Sequence, residues 1–170
     1  PCSRRLKSGQ IVSFRPQDAG EPPVCADFSI LHENPDYIVV DKPGNLPCHP
    51  AGRFFKNTLW NMLRPKYGAL HIVNRLDRET SGLTLAARDE ASAAALSGIL
   101  SRGLALKTYI AIVHGRFPDG ETPAEGFLSS DDSSPVRKKR RFSASPCPGA
   151  ESASTSFRLI GTDGEFSAVE

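Results

Sequence analysis

Short apolar segments, separated by proline and turn-forming residues, constrain the fold of this 170-residue chain more than any other feature. Phe28–Leu31 and Tyr37–Val40 flank Asn34-Pro35-Asp36, a combination that predicts two strands joined by a tight turn. The other predicted strands are Leu70–Val73, Leu83–Ala87, Thr108–Val113, Ser156–Ile160 and Glu165–Val169. The last two strands predict a hairpin, because Thr162-Asp163-Gly164 lies between them.

Two segments have helical spacing of their apolar residues. Thr58–Leu63 follows Asn57, which is a good N-cap residue, and the predicted helix ends near Pro65 and Gly68. Asp89–Leu100 combines acidic residues in its first turn with several alanines, and Gly103 predicts its end. Because helices and strands are mixed without regular alternation, the sequence predicts an α+β fold.

The polar remainder of the chain forms two stretches. Residues 1–26 are rich in proline, glycine and charge, and they predict an extended lead-in with a short strand at Ile11–Phe14. One domain is expected over residues 27–170, interrupted by a mobile, serine-rich insertion at Ser129–Ser154. The basic run at 137–141 inside this insertion fits an RNA-binding arm, a nuclear address or a solvated loop.

Composition excludes several classes of protein. Hydrophobic residues make up 39% and charged residues 24%, which is far from the composition of a disordered chain. A net charge of +2 neither requires nor excludes a polyanionic partner. Four cysteines without a C-x-x-C pair or a histidine at zinc spacing predict reduced thiols in an intracellular protein, without a metal site. No apolar run approaches the roughly 20 residues of a membrane span, so no membrane association is expected.

The segment Asn74–Gly82 is short, polar and charged, although apolar strands are predicted on both sides of it. Asp77 lies between Arg75 and Arg78, and neighbouring cations favour the ionised form of a carboxyl group. An ionised carboxylate can act as a nucleophile or a base, and the two arginines could bind phosphates. On composition alone, a surface salt-bridge cluster is the simpler interpretation of this loop.

The order of residues in this loop resembles a known signature. Arg75-Leu76-Asp77 followed by Thr80-Ser81-Gly82-Leu83 is similar to the signature of RluA-type pseudouridine synthases. Val39–Pro43 with His49-Pro50 resembles the first motif of this family, and Lys107-Thr108-Tyr109 resembles its next strand motif. The three blocks occur in the family's order, over about residues 36–116. The resemblance implies a mixed, largely antiparallel sheet with a few flanking helices.

The resemblance also implies roles for individual residues. Asp77 matches the catalytic aspartate, which attacks C1′ of the target uridine or triggers loss of its C2′ proton. Tyr109 matches the tyrosine that stacks on the uracil, and Arg75 matches the arginine that fills the gap left by a flipped base. Arg78 is expected to bind the substrate as well. Without the motif, Tyr109 would be taken for a core residue and Arg75 for an ion-pair partner of Asp77.

The implied partner is structured RNA, with tRNA as the favoured class, and neither a cofactor nor a metal is implied. A monomer is expected, in the cytoplasm or a mitochondrion, with the nucleus as an alternative. His49–Arg53 and Asn74 are similar to the eukaryotic branch of the family. In fungi that branch includes tRNA uridine-32 enzymes, some of them fused to a deaminase of riboflavin synthesis.

One departure from the family pattern concerns the C-terminus. The family has a Gly-Arg-Thr-His-Gln motif after a strand that resembles Phe166–Val169, and the arginine of that motif pairs with the catalytic aspartate. The chain begins at Pro1 and ends at Glu170, before this motif. A fragment that is inactive or marginally stable by itself is therefore expected.

Three functions are compatible with the sequence. The first is an active pseudouridine synthase, and the second is an RNA-binding module of the same descent without catalysis. The third is an unrelated hydrolase that uses Asp77 and His49, although no second carboxylate or metal constellation supports it.

Overall fold

The computed structural model describes residues 8–11, 20–135 and 139–170, and these divide into two compact units, Pro1–Ala105 and Leu106–Glu170. Most of the strand predicted at Ile11–Phe14 and residues 137–138 of the basic run lie outside the described residues. The assignment of 27–170 to one domain stays a prediction.

The first unit contains a four-stranded antiparallel sheet with two helices. Its elements are β1 (Ser29–Glu33), β2 (Tyr37–Lys42), α1 (Leu59–Tyr67), β3 (His71–Ile72), β4 (Gly82–Ala87) and α2 (Glu90–Ser101). The strand order is β1-β2-β4-β3. The predicted turn between β1 and β2 is confirmed, because the Asn34 side chain accepts hydrogen bonds from the N–H groups of Asp36 and Tyr37 at 2.9 and 2.8 Å.

The core of the first unit combines side chains from the sheet, from α1 and from the loops. β2 shows strict alternation, so that Ile38 and Val40 point inward and are fully buried. Leu59 and Leu63 of α1 join the same cluster, as does the loop residue Leu46. Complete burial of one such side chain contributes about 1.5–3 kcal/mol, so this cluster is the main source of stability in the unit.

The start of α1 differs from the prediction by one residue. Thr58, not Asn57, is the N-cap, and its hydroxyl accepts a hydrogen bond from the N–H of Asn61 at 3.2 Å. The Asn57 side chain donates instead to the carbonyl oxygen of Pro22 at 2.8 Å, so a tertiary contact removes it from the cap. The helix ends at Tyr67 with Gly68 as its C-cap, near the predicted end.

The helix predicted over Asp89–Leu100 is confirmed as α2. Asp89 is its N-cap and accepts a hydrogen bond from the N–H of Ser92 at 2.8 Å. None of the α2 residues is fully buried, so its apolar stripe is only partly covered. Neither helix of the described residues is long and apolar enough to cross a membrane.

The second unit contains a five-stranded antiparallel sheet. Its strands are β5 (Ala111–His114), β6 (Glu121–Ser130), β7 (Arg140–Ser143), β8 (Glu151–Thr162) and β9 (Phe166–Val169). The strand order is β5-β9-β8-β6-β7. The predicted final hairpin is confirmed as β8 and β9, and the Asp163 carboxylate accepts the N–H groups of Glu165 and Phe166 in its turn.

The serine-rich stretch at Ser129–Ser154 contains all of β7 and the ends of β6 and β8. β6, which the sequence did not predict, pairs with β8 from Glu121 opposite Arg158 to Leu128 opposite Glu151. Strand pairing through backbone hydrogen bonds requires no apolar pattern, and for this reason the hydrophobic periodicity of the sequence did not predict β6. Within the same stretch, Arg140 forms an ion pair with Glu151, and Arg141 forms one with Asp131.

Candidate active site

The polar loop of residues 73–81 connects β3 to β4, two antiparallel neighbours, and therefore lies at one end of the first sheet. Asn74 fixes the start of this loop. Its side-chain Nδ2 donates to the carbonyl oxygen of Leu83 at 2.9 Å, and its Oδ1 accepts the N–H of Leu85 at 2.6 Å. The amide group of Asn74 thus extends the strand pairing beyond β3, and the residues that follow start from a fixed point.

Residues 42–48, called the clamp segment below, hold the middle of the loop. The Cys48 Sγ donates to the carbonyl oxygen of Leu76 at 3.4 Å, and the N–H of Leu46 donates to the carbonyl oxygen of Arg78 at 3.0 Å. A Cβ atom added at Gly44 would lie only 3.0 Å from the carbonyl oxygen of Glu79. Glycine at position 44 therefore allows the two backbones to approach closely.

Lys42 occupies the next inward-facing position of β2 after Val40, and its side chain is fully buried. Its Nζ donates to the carbonyl oxygens of Pro43 and Leu46, both at 2.9 Å, and of Arg78 at 3.3 Å. These three bonds use all the donors of an ammonium group.

Burial lowers the pKa of Lys42 from its usual value. The negative charges of Glu79 and Asp77 act in the opposite direction and favour the protonated form. No role was predicted for this lysine from the sequence, although the alternation of β2 signals its inward position.

Asp77 lies at the exposed tip of the loop, and its carbonyl oxygen accepts the N–H of Thr80 at 3.2 Å in a turn. Among the ion pairs of the described residues, none joins Asp77 to Arg75 or Arg78. Arg78 instead donates to the Glu79 carboxylate at 2.7 Å. The loop is therefore not a salt-bridge cluster built around Asp77, and its carboxylate is open to a substrate.

Arg75 and Arg78 differ in how strongly the protein holds them. Arg75 is exposed, and its guanidinium has no ion-pair partner among the described residues. The Arg78 guanidinium lies 5.5 Å from the centre of the Phe54 ring, in addition to its pair with Glu79. Arg75 is thus the freer of the two cations.

His49 is placed beside Trp60, with ring centres 5.9 Å apart and an interplanar angle of 24°. Burial, and secondarily the charge of Arg75, lower the pKa of His49, which favours the neutral imidazole. In the part of the chain that the structure describes, no group of three or more histidine, cysteine or acidic side chains is arranged to hold a metal. The hydrolase hypothesis therefore gains no support from this geometry.

Tyr109 belongs to the second unit and lies just before β5, not inside it as the predicted strand Thr108–Val113 implied. Its side chain is 55% exposed, so it is not a core residue. It lines a cleft of about 670 Å³ within that unit, together with Lys107, Thr108, Glu121, Arg158 and Glu170. Asp77 belongs to the first unit.

Comparison with known proteins assigns the chain to a family. The model of the RNA pseudouridylate synthase family matches residues 36–170, which include both the Asp77 loop and Tyr109. The chain belongs to the RNA pseudouridylate synthase family.

Two curated relatives of this family match nearly the whole chain. RNA pseudouridine synthase 7 of Arabidopsis thaliana is 32% identical over 180 residues, which cover 99% of this chain and 44% of that protein. The mitochondrial tRNA pseudouridine(32) synthase of Saccharomyces cerevisiae is 34% identical over 167 residues, which cover 97% of this chain and 36% of that protein. The chain spans less than half the length of these relatives.

A solved structure supports the architecture of a pseudouridylate synthase. Human RNA Pseudouridylate Synthase Domain Containing 1 superposes with a TM-score of 0.71 at 19% identity, covering 88% of this chain and 60% of that one. Together with the antiparallel sheets and few helices seen here, this likeness confirms the predicted α+β class.

Proposed function

We propose that this chain forms the catalytic region of an enzyme that isomerises uridine to pseudouridine in structured RNA. The observation that carries the proposal is the exposed Asp77 carboxylate on an anchored loop, in a chain of the RNA pseudouridylate synthase family. An anchored loop suits catalysis because it presents the reacting group in a fixed geometry before the substrate arrives.

Asp77 is the proposed catalytic carboxylate, acting either as the nucleophile at C1′ of the target uridine or as the base for its C2′ proton. The bond between N1 of the uracil and C1′ breaks, the base rotates, and a bond from C5 to C1′ forms. C5 loses its proton and N1 takes up a proton, so that substrate and product have the same atoms. The scheme uses no cofactor, because it needs no oxidant or reductant and no energy from a nucleotide.

Arg75, Arg78 and Tyr109 are proposed to bind the RNA. The guanidinium of Arg75, which has no ion-pair partner in the described part of the chain, suits stacking in the gap of a flipped base. Arg78 suits a phosphate beside it. The exposed ring of Tyr109 suits stacking on the uracil.

The proposed substrate class is tRNA. This choice is supported by the relative from Saccharomyces cerevisiae, whose name describes it as a tRNA pseudouridine(32) synthase of the mitochondrion. The cytoplasm or a mitochondrion is proposed as the compartment, with the nucleus as the alternative, and a monomer as the active form.

The direct test is release of tritium from tRNA labelled at C5 of uridine. We expect release by the wild type, and a fall of about 10³-fold or more in Asp77→Asn, which keeps the shape and loses the charge. Asp36→Asn is the matched control, since Asp36 is another exposed loop aspartate of the same unit. Binding of tRNA by Asp77→Asn should persist and weaken steeply with salt.

Two outcomes would contradict the proposal. Undiminished release of tritium by Asp77→Asn would remove the catalytic assignment of this residue. Salt-sensitive tRNA binding by the wild type without any release would instead favour the RNA-binding module that lacks catalysis.

A further inference from the structure

Lys42 is the largest of the fully buried residues in the described part of the chain. Lysine is seldom buried without a charged partner. Among the described residues, no carboxylate lies within ion-pair distance of its Nζ. The ammonium is held by three backbone carbonyl oxygens, those of Pro43, Leu46 and Arg78. A hydrophobic side chain of similar length would fill the same volume without this requirement, so the charge has a function other than packing.

The three carbonyl groups come from two different segments. Pro43 and Leu46 belong to the clamp segment, whereas Arg78 follows Asp77 directly. The carbonyl oxygen of Arg78 also accepts the N–H of Leu46, so that two donors converge on one atom of the loop. The position of this peptide group sets where the neighbouring Asp77 side chain begins.

Lys66 of the same unit illustrates the ordinary arrangement of a lysine. Its Nζ is exposed and pairs with the carboxylate of Glu33 at 3.3 Å, beside the hydroxyl of Tyr67. Such surface pairs contribute little to the position of a backbone segment. Lys42 differs because it connects β2, the clamp segment and the Asp77 loop through one buried charge.

We infer that Lys42 is a positioning residue for the catalytic loop: its buried ammonium draws the carbonyl groups of the clamp segment and of Arg78 together and thereby fixes Asp77. This inference rests on the proposed function, because it assigns Lys42 to the reaction that Asp77 performs. It predicts that loss of the ammonium affects the chemical step more than RNA binding.

The test compares Lys42→Met with Lys66→Met, the same substitution at a buried and at an exposed lysine. In folded Lys42→Met we expect kcat for tritium release to fall about 10- to 100-fold, because a displacement near 1 Å can cost about 100-fold. The Kd for tRNA should stay within about twofold of the wild type, since no proposed RNA contact is removed. Lys66→Met should match the wild type in both quantities.

Hydrogen exchange of single amides reports on the loop independently of activity. The amides of Leu46 and Thr80, whose hydrogen bonds hold the loop, should exchange at least about tenfold faster in Lys42→Met. The amide of Met62 in α1 serves as the internal control and should not change.

Gly44→Ala is a second variant for the case that Lys42→Met does not fold. Its new methyl group would lie 3.0 Å from the carbonyl oxygen of Glu79 and would displace the loop while Lys42 stays intact. A lower kcat at unchanged Kd and unchanged melting temperature supports the inference.

Two results would overturn the inference. Folded Lys42→Met with wild-type kcat would do so, as would unchanged exchange at Leu46 and Thr80. If the wild type itself releases no tritium, the proposed function fails, and the exchange rates still decide whether Lys42 holds the loop.

Discussion

The two units of this protein are stabilised in different ways. Among the described residues, every buried hydrophobic side chain except Val169 belongs to the first unit. The second unit is a sheet with exposed apolar side chains, such as Leu106, Ile110 and Ile112, and backbone pairing holds its strands. The candidate catalytic loop belongs to the unit with the packed core, where hydrogen bonds from the clamp segment hold it.

The largest effect on stability is expected from removal of a core side chain of the first unit. Leu59→Ala should lower the free energy of unfolding by about 2–5 kcal/mol, because Leu59 is fully buried and its loss leaves a cavity. Ile112→Ala is the comparison in the second unit, and it should change this free energy by no more than about 0.5 kcal/mol. Urea denaturation measures both.

A large cost of Ile112→Ala would break this comparison. It would mean that the exposed face of β5 is covered in solution, and that burial of apolar side chains contributes to the stability of both units.

A smaller effect is expected where the second unit is tightly packed. A Cβ atom at Gly126 would lie 2.5 Å from the carbonyl oxygen of Ser143 and 2.6 Å from the Phe142 ring. Gly126→Ala should therefore destabilise the pairing of β6 with β7 by about 1–3 kcal/mol. Gly161→Ala in β8 is the matched control, since no atom lies within 4 Å of its added Cβ.

Thermal unfolding and hydrogen exchange of the β6 and β7 amides would show the effect. Equal behaviour of Gly126→Ala and Gly161→Ala would indicate that β7 is not paired with β6 in solution.

The smallest effect on stability is expected from acidification. The Glu21 carboxylate accepts hydrogen bonds from the N–H groups of Phe55, Lys56 and Asn57 at 2.7–2.9 Å. These hydrogen bonds lower the pKa of Glu21 below its usual value of 4.5, and the bond from Asn57 has the largest effect. A pKa lowered by folding means that this stabilisation is complete above pH 4.5 and is lost as the pH falls through the folded-state value. Glu21→Gln should remove that part of the acid dependence.

Asp163→Asn provides the comparison in the second unit. The Asp163 pKa is also lowered, by the N–H groups of Phe166 and Glu165. A single oxygen, Oδ1, accepts both of these groups, and asparagine keeps that oxygen, whereas glutamine at position 21 loses one of the two oxygens that accept there. Its effect should therefore be smaller than that of Glu21→Gln. Urea midpoints at neutral and acidic pH test this order, and a larger effect of Asp163→Asn would contradict it.

The elements that sequence analysis predicted correctly depend on contacts between near neighbours in the chain. The β1–β2 turn depends on Asn34 and the two residues that follow Pro35, and the β8–β9 turn depends on Asp163 in the same way. α2 begins at Glu90 after its N-cap Asp89, within one residue of the predicted start, because the cap joins Asp89 only to the nearby Ser92. Helix capping and turn preferences depend on residues this close in the chain, so these elements could be recognised from the sequence.

The N-cap of α1 and strand β6 show where such reasoning stops. Asn57 and Thr58 are both good caps, and a hydrogen bond to the distant Pro22 decided between them. β6 is defined by its partners β7 and β8, not by a pattern of its own. For the candidate site, the motif identified Asp77, Arg75, Arg78 and Tyr109, whose assigned roles stay predictions.

By itself, the sequence determined the local turns and helices, the α+β class and the family to which the Asp77 loop belongs. Only the tertiary structure decided how that loop is held, because the carbonyl group of Arg78 lies 36 residues from Lys42 along the chain. A buried ammonium binds whichever carbonyl groups the fold brings to it, and that choice is absent from any local pattern of residues.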